Sequence, residues 1–198
     1  MQGKDGLISG ILDALRGNPN YSRLFDLEGR RALLFLDLTN ILCQAAEFCL
    51  WIDLEDLVLI LSRFFDLQAH YAFTSCGITS GMVNFLYNTG YIVRQSPFDS
   101  DAIMGYTICE STERHEAEVV LIGTHDGGFR GVGDELRRRG VDVAFLGFRE
   151  MFSSYLRGCP LFCFEDIKIL SPLREAREGR PEESQPHVEA RTEQVPTD

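Results

Sequence analysis

Residues 32 to 38 read ALLFLDL, and this stretch sets the architecture of the chain. A run of five apolar residues that ends at an aspartate indicates a strand buried on both faces. The run VVLI at residues 119–122 has the same character. Strands of this kind occur in parallel sheets, because crossover helices cover both faces of such a sheet. The two runs therefore predict the centre of a parallel sheet.

Three further apolar runs have the length of strands, and stretches with helical periodicity separate the runs. Strands that alternate with helices predict an α/β fold. We expect a single domain whose parallel sheet has five or slightly more strands flanked by helices. The predicted strands are residues 32–38, 69–75, 91–95, 118–124 and 141–147, and the predicted helices are residues 54–65, 79–89, 101–112, 129–139 and 149–158.

Composition indicates one domain that is flanked by an N-terminal and a C-terminal segment. The 198 residues are 44% hydrophobic, which supplies one sizeable core and is too little for two. Residues 31–171 carry the pattern of strands and helices and form the predicted domain. Residues 172–198 are charged and contain several prolines, so they predict a disordered acidic tail that offers a surface to protein partners.

Residues 1–30 predict an N-terminal helical extension. Its apolar positions recur at helical spacing and form one face, which we expect to pack on the domain. A homodimer contact is the alternative use of this face. The positions are Leu7, Ile8, Ile11, Leu12 and Leu15.

The formal net charge is −11, from 19 basic and 30 acidic side chains. Bulk electrostatics therefore argue against non-specific binding of nucleic acid, although a local basic patch is compatible with this balance. Acidic residues interrupt every long apolar stretch, so we expect no membrane segment. The N-terminus lacks a secretory cleavage pattern, and the six cysteines are expected to be reduced, which predicts a cytoplasmic protein.

Acidic side chains follow three of the predicted strands, at the points where those strands end. Asp37 and Asn40 follow the first strand, Asp99 and Asp101 follow the third, and Asp126 follows the fourth. The carboxyl ends of parallel strands share one edge, where α/β sheets form their ligand crevices. Converging carboxylates repel one another unless a cation lies among them, and Mg²⁺ prefers such oxygen ligands. The pattern predicts a Mg²⁺ or Mn²⁺ site suited to phosphodiester hydrolysis.

An aspartate at a strand exit also has a purely structural use, because it is a common N-cap of the following helix. Asp101 or Asp126 taken alone is better explained as a cap. Carboxylates from three separate segments at one sheet edge favour the metal site instead.

These residues also carry a resemblance to a known family. The segments ALLFLDLTN, DSDAIMGYTICE, EVVLIGTHDGGF, LRRRGVDVAFLG and SSYLRGCPLFCFED occur in an order that resembles the NYN domain family of the PIN-like nuclease superfamily, which includes LabA-like proteins. The resemblance runs from Arg31 to Leu170. It implies a PIN-like parallel α/β fold and metal-dependent endoribonuclease activity through acidic residues.

The resemblance assigns catalytic roles to four positions. Asp37 and Asn40 match the aspartate and the asparagine that follow the first strand in the family. Asp101 matches the aspartate that opens the middle helix, and Asp126 matches the first aspartate after the fourth strand. The aspartates would hold Mg²⁺ or Mn²⁺, and Asn40 would orient a ligand or a water molecule.

The chain departs from the family pattern beside Asp126. Gly128 stands where the family has a second aspartate, and His125 stands where it has a glycine. Asp99 is a candidate replacement ligand for the metal, and His125 is a candidate for contact with the metal or the scissile phosphate. Two hypotheses follow: a nuclease with a reduced metal site, or a catalytically weakened binding or regulatory module that acts through RNA or protein partners.

Contacts to an RNA substrate are expected from polar residues near the same strand ends. Gly127 and Gly128 lack side chains, which predicts close approach of a phosphate backbone beside Asp126. The candidates for RNA binding are Thr39, Thr124, His125 and Arg130.

Other catalytic classes fit the spacing less well. Ser80 in GITSG lies one position late for the G-x-S-x-G nucleophile elbow. The stretch GGFRGVG does not complete the G-x-G-x-x-G pattern of dinucleotide-binding proteins. A phosphatase of the haloacid dehalogenase type would have a second aspartate where this chain has Thr39.

Overall fold

Strand β1 (Arg31–Asp37) contains the ALLFLD run, and its residues from 32 to 37 are all buried. The computed structural model describes residues 2–75, 78–96, 100–156 and 158–172. The further strands are β2 (Leu50–Ile52), β3 (Asp66–Ser75), β4 (Ile92–Ser96), β5 (Val119–Gly123), β6 (Asp142–Gly147), β7 (Leu161–Cys163) and β8 (Leu170–Pro172). The α-helices are α1 (Gln2–Arg16), α2 (Ser22–Phe25), α3 (Leu38–Glu47), α4 (Leu54–Phe64), α5 (Ser80–Asn88), α6 (Ser100–Arg114) and α7 (Arg130–Arg138). Short 3-10 turns cover Pro19–Tyr21, Gly127–Phe129, Arg149–Met151, Ser154–Leu156 and Phe164–Ile167.

Six strands form one sheet in the order β4-β3-β1-β5-β6-β7, and every neighbouring pair is parallel. The predicted α/β domain with a parallel sheet flanked by helices is therefore confirmed. Strands are added on one side of β1 up to β4 and on the other side from β5 onward. The strand order thus reverses between β1 and β5, and the carboxyl ends of these two strands flank the crevice where α/β sheets bind ligands.

The alternation of side chains along β1 divides the core into two layers. Leu34 and Leu36 pack on one face, in a cluster that includes buried residues of α1, α3, α4 and α5. Leu33 and Phe35 pack on the other face, against buried residues of α6 and α7. Because successive residues of a strand point to opposite faces, one short apolar run supplies both layers.

The structure differs from the predicted elements in several places. Helix α3 follows β1 directly and was not among the predicted helices, and β2 and β8 form a small antiparallel pair in which Leu50 pairs with Pro172. Strands of three residues are too short to show a periodic pattern. The helix predicted at 149–158 is wrong, because the described part of this segment forms two 3-10 turns. Contacts with the loop after β5, described below, hold it in that form.

Helix α1 belongs to the domain core. Ile8, Ile11, Leu12 and Leu15 are at most 9% exposed and join the cluster on one face of the sheet, whereas Leu7 is 53% exposed. The predicted packing face is therefore correct except at Leu7. The homodimer contact stays a prediction, and the predicted tail lies outside the described residues except for Pro172, which ends β8. No helix in the described ranges has the length and apolar character needed to cross a membrane.

The role of α1 is testable with a matched pair of substitutions on that helix. We expect Ile11→Ala to lower the free energy of unfolding by about 2–5 kcal/mol, because it opens a cavity in the core. Leu7→Ala removes a similar side chain from an exposed position and is expected to change stability by less than about 0.5 kcal/mol. Urea unfolding of the two variants measures both values. Equal, small effects would show that α1 does not contribute to the folded core.

Candidate acidic site at the carboxyl edge of the sheet

Asp37 lies at the junction between β1 and α3 and is only 6% exposed. Its Oδ1 accepts a hydrogen bond of 3.2 Å from the backbone N–H of Asn40, so the carboxylate is the N-cap of α3. Its Oδ2 accepts a hydrogen bond of 3.3 Å from the hydroxyl of Thr124, which follows β5. The carboxylate is thus held between the two strands that flank the switch point.

Asp126 lies two residues further along the loop after β5, and its side chain is exposed. Its Oδ1 accepts a hydrogen bond of 2.8 Å from the N–H of Gly128 and caps the Gly127–Phe129 turn. Its own N–H donates to Oγ1 of Thr124 at 3.2 Å. Asp126 is therefore a cap, as the structural alternative predicted, and its carboxylate is also exposed at the carboxyl edge of the sheet.

Thr124 is fully buried, and its hydroxyl is used within the protein. It donates to the Asp37 carboxylate and accepts from the Asp126 backbone. Contact between Thr124 and substrate stays a prediction, and in this structure the hydroxyl is engaged within the protein. The residue thus fixes the positions of both aspartates.

His125 is buried and is part of the scaffold beneath the site. Its Nε2 accepts a hydrogen bond of 2.8 Å from the N–H of Phe148, so the ring proton lies on Nδ1 and is donated to Oδ1 of Asn40 at 2.9 Å. Burial lowers the pKa of His125 to about 4, which leaves the ring neutral at pH 7. Because both ring nitrogens are engaged, the predicted contact of His125 with metal or phosphate is not available in this structure.

Asn40 connects α3 to the loop after β5. Its Oδ1 accepts from the backbone N–H of His125 at 3.2 Å as well as from the ring. This oxygen therefore holds the loop that carries Asp126. The predicted role of Asn40 in orienting a ligand or a water molecule stays a prediction.

A third carboxylate, Asp101, lies in the first turn of α6 and is exposed. The pKa of Asp37 is raised to about 6, mainly by burial, with further contributions from the negative charges of Asp101 and Asp126. The Asn40 N–H and the Thr124 hydroxyl oppose this rise. The charges of Asp101 and Asp126 thus both act on the Asp37 carboxylate at one edge of the sheet. Asp99, the fourth predicted ligand, lies outside the described residues.

Two further residues predicted to contact substrate are tied to their neighbours. Oγ1 of Thr39 accepts from the N–H of Ser75 at 3.0 Å, which links α3 to the end of β3. Arg130, the first residue of α7, donates from Nη1 to the carbonyl of Tyr155 and from Nε to Asp134 at 3.3 Å. The guanidinium is about half exposed, so contact between Arg130 and substrate stays a prediction.

The donor set defines the kind of metal ion that fits. Within the residues that the structure describes, no three acidic, histidine or cysteine side chains come close enough together to hold one ion. The described donors to Asp37 and Asp126 are neutral groups, so hydrogen bonds with them do not cancel the two negative charges. Mg²⁺ is commonly held by one or two carboxylates together with water and substrate phosphate. The site fits a water-rich ion of this type and does not fit a closed protein cage.

Gly127 has a packing role that the sequence did not reveal. A Cβ at this position would lie 2.6 Å from Oγ of Ser153 and 3.0 Å from Cβ of Tyr155. The space beside Gly127, where we expected a phosphate backbone to approach, is therefore occupied by the 153–155 segment. Gly128 is different, because a Cβ there would meet only the Asp126 carboxylate, at 3.3 Å from Oδ1.

Gly147 makes room for His125 in the same way. A Cβ on Gly147, at the end of β6, would lie 2.6 Å from Nε2 of the His125 ring. No pattern in the sequence pairs these two positions. The absence of a side chain at Gly147 allows the ring to lie across the strand end and accept from Phe148.

Comparison with known proteins supports the fold and gives no function. No family model matches the chain, and no curated protein matches it. A crystal structure of a protein of unknown function from Vibrio parahaemolyticus is similar, with a TM-score of 0.61 and 15% sequence identity. The match covers 73% of this chain and 98% of that one. At this identity the likeness is evidence for a shared α/β architecture alone.

The buried Asp37 predicts a pH dependence of stability. Its pKa is raised from 3.8 to about 6, so the folded state binds the proton more tightly than the unfolded state. Stability is therefore expected to fall as pH rises from about 4 to about 6, at a cost on the order of 3 kcal/mol. In Asp37→Asn, which has no titrating group at this position, this loss is expected to disappear.

Urea unfolding at pH 4, 5, 6 and 7 measures this effect. Asp66→Asn is the matched control, because Asp66 is exposed at the amino end of β3, away from the acidic site. That variant is expected to follow the wild-type pH profile. Parallel profiles for wild type and Asp37→Asn would contradict the raised pKa.

Proposed function

We propose that this chain is a divalent-metal-dependent endoribonuclease with a PIN-like fold of the NYN type. The observation that carries the proposal is the convergence of Asp37, Asp101 and Asp126 at the carboxyl edge of the sheet, beside the switch point between β1 and β5. Carboxylates at this position have no role in the hydrophobic core, and their mutual repulsion is relieved by a cation. The ordered acidic series also supports the PIN-like assignment.

One or two of the three aspartates would hold Mg²⁺ or Mn²⁺ directly, and water and substrate phosphate would complete the coordination, because no three described acidic side chains lie close enough together to hold one ion. When bound, such an ion neutralises charge on a phosphate and lowers the pKa of a water molecule. Asp37 supplies a carboxylate whose direction is set by the Asn40 N–H and the Thr124 hydroxyl. Asp101 and Asp126 supply exposed carboxylates that an RNA phosphate can approach from solvent.

The residues around the aspartates keep the site in one geometry. Thr124 joins Asp37 to the backbone of Asp126, and the pair of Asn40 and His125 ties α3 to the loop after β5. Preorganised donors and ligands do not have to be ordered when substrate binds, which lowers the barrier to reaction. This rigid support is consistent with a catalytic site.

A second candidate is a binding or regulatory module that does not cut RNA. It is favoured by Gly128, where the resembled family has a second aspartate, and by the lack of a three-ligand metal cluster among residues 2–75, 78–96, 100–156 and 158–172. Such a module would use the same edge to bind RNA, or would act through protein partners. Metal-dependent cleavage separates the two candidates.

Cleavage of a mixed, end-labelled single-stranded RNA tests the proposal. The purified wild-type protein is expected to cut in Mn²⁺ or Mg²⁺ and to be inactive in EDTA. Asp37→Asn is expected to lower the rate by about 100-fold or more, because it removes a charged ligand from the centre of the site. Asp66→Asn, at the opposite edge of the sheet, is the control and is expected to retain wild-type activity. Cleavage that survives EDTA or Asp37→Asn would identify a contaminating nuclease and overturn the proposal.

Gly128→Asp tests whether the missing carboxylate limits metal binding. A Cβ at position 128 lies beside the Asp126 carboxylate, so the new side chain can add a ligand to the same ion. We expect Mn²⁺ to bind about tenfold more tightly in a calorimetric titration, which corresponds to about 1.4 kcal/mol. Gly128→Ala is the control for the added Cβ and is expected to match wild type. Unchanged Mn²⁺ affinity in Gly128→Asp would show that the ion does not lie beside Asp126.

A further inference from the structure

Tyr155 is the most exposed of the large hydrophobic side chains in the described part of the chain, at 73%. It lies in the Ser154–Leu156 turn, and the next residue, Leu156, is fully buried in the core. The aromatic ring is therefore directed to solvent from a backbone that is anchored one residue away.

The turn is held against the acidic site by contacts on both sides. The Ser153 N–H donates to the carbonyl of His125 at 3.3 Å, and the Arg130 guanidinium donates to the carbonyl of Tyr155. Oγ of Ser153 also accepts from the N–H of Tyr155 at 3.3 Å. These bonds place Tyr155 beside the loop that carries Asp126.

Gly127 makes this approach possible. A Cβ at this position would lie 3.0 Å from both Cβ and Cδ2 of Tyr155, a contact tight enough that the ring would have to move by a few tenths of an ångström. The absence of a side chain at Gly127 therefore lets the Tyr155 ring pack closely against the loop. The exposed ring thus lies against the residue that immediately follows Asp126, one of the three candidate metal ligands.

We infer that Tyr155 is a stacking platform for an unpaired nucleobase of the RNA that enters the acidic site. The inference rests on the proposed function, because it identifies the occupant of the same edge. Every nucleobase offers a flat π-face, and stacking on an aromatic side chain holds a single strand without sequence preference. In a duplex the bases are stacked on one another and paired, so they cannot reach the ring.

The charge beside the ring is consistent with this occupant. The Arg130 guanidinium donates to the Tyr155 backbone carbonyl and also pairs with Asp134, so a cationic side chain lies at the turn that carries the ring. A nucleotide presents a flat base and a negative phosphate that are joined by one sugar. The pairing of Tyr155 with Arg130 matches both parts, and the neighbouring acidic site would receive the adjacent phosphate through its metal ion.

Binding measured without cleavage tests the inference. The full chain carrying Asp37→Asn is titrated in Mg²⁺ against a labelled single-stranded RNA of about 12 nucleotides, and anisotropy reports the affinity. Adding Tyr155→Ala is expected to weaken binding by about tenfold, whereas Tyr155→Trp is expected to retain it. Tyr87→Ala is the matched control, because Tyr87 is also exposed, at 58%, but lies near the end of α5 toward the amino edge of the sheet. Its affinity is expected to be unchanged.

Tryptophan fluorescence supplies a direct readout of stacking. The chain contains one tryptophan, Trp51, so Tyr155→Trp adds a single fluorophore that is measured by difference. The added emission is expected to be quenched by single-stranded RNA and not by a duplex of the same sequence. This measurement does not depend on Tyr155→Ala being well folded.

The outcomes separate the inference from the proposed function. Loss of binding in Tyr155→Ala together with quenching in Tyr155→Trp supports the platform even if the wild type never cleaves RNA. Unchanged binding in Tyr155→Ala and unquenched emission in Tyr155→Trp overturn the platform even if cleavage is established, and would leave the ring to a protein contact. Absence of any single-stranded RNA binding by both the wild-type protein and the Asp37→Asn chain also overturns it.

Discussion

The hydrogen bond from the Thr124 hydroxyl to the Asp37 carboxylate joins the ends of the two strands between which the strand order reverses. A buried carboxylate costs free energy, which is reflected in the raised pKa of Asp37. The cost is tolerated because the same carboxylate caps α3 and accepts from Thr124. Through this contact Asp37 joins the start of α3 to the loop after β5. Thr124 also accepts from the Asp126 N–H, so the same contact supports the loop that presents the Asp126 carboxylate.

The polar residues of the edge divide into a buried support and an exposed set. The buried support consists of two contacts between the end of β1 and the loop after β5. Thr124 donates to Asp37, and the His125 ring donates to Asn40. Asp101 and Asp126 remain at the surface. A site that concentrates negative charge lowers stability near neutral pH, and this cost is typical of sites that are arranged for a ligand. The proposed cation would offset it.

The segment from 149 to 156 forms 3-10 turns in place of the predicted helix, and these turns bring it to the acidic edge. Its apolar pattern resembles a helix, but it forms 3-10 turns because Ser153 bonds to the backbone of His125 and because Gly127 leaves space for Tyr155. The aromatic ring therefore reaches the acidic edge from a part of the chain that follows β6. The proposed stacking platform depends on this packing between distant segments.

The amino-acid sequence alone was enough to predict the central strands, the parallel sheet and the carboxyl edge where Asp37 and Asp126 follow β1 and β5. Apolar runs must be buried, and the carboxyl ends of parallel strands must share an edge, so these features follow from local patterns. The folded structure was needed to show that His125 and Thr124 support the site and that Tyr155 borders it. The positions of His125 and Tyr155 depend on Gly147 and Gly127 leaving space for side chains far away in the sequence, and a local pattern carries no information about such contacts.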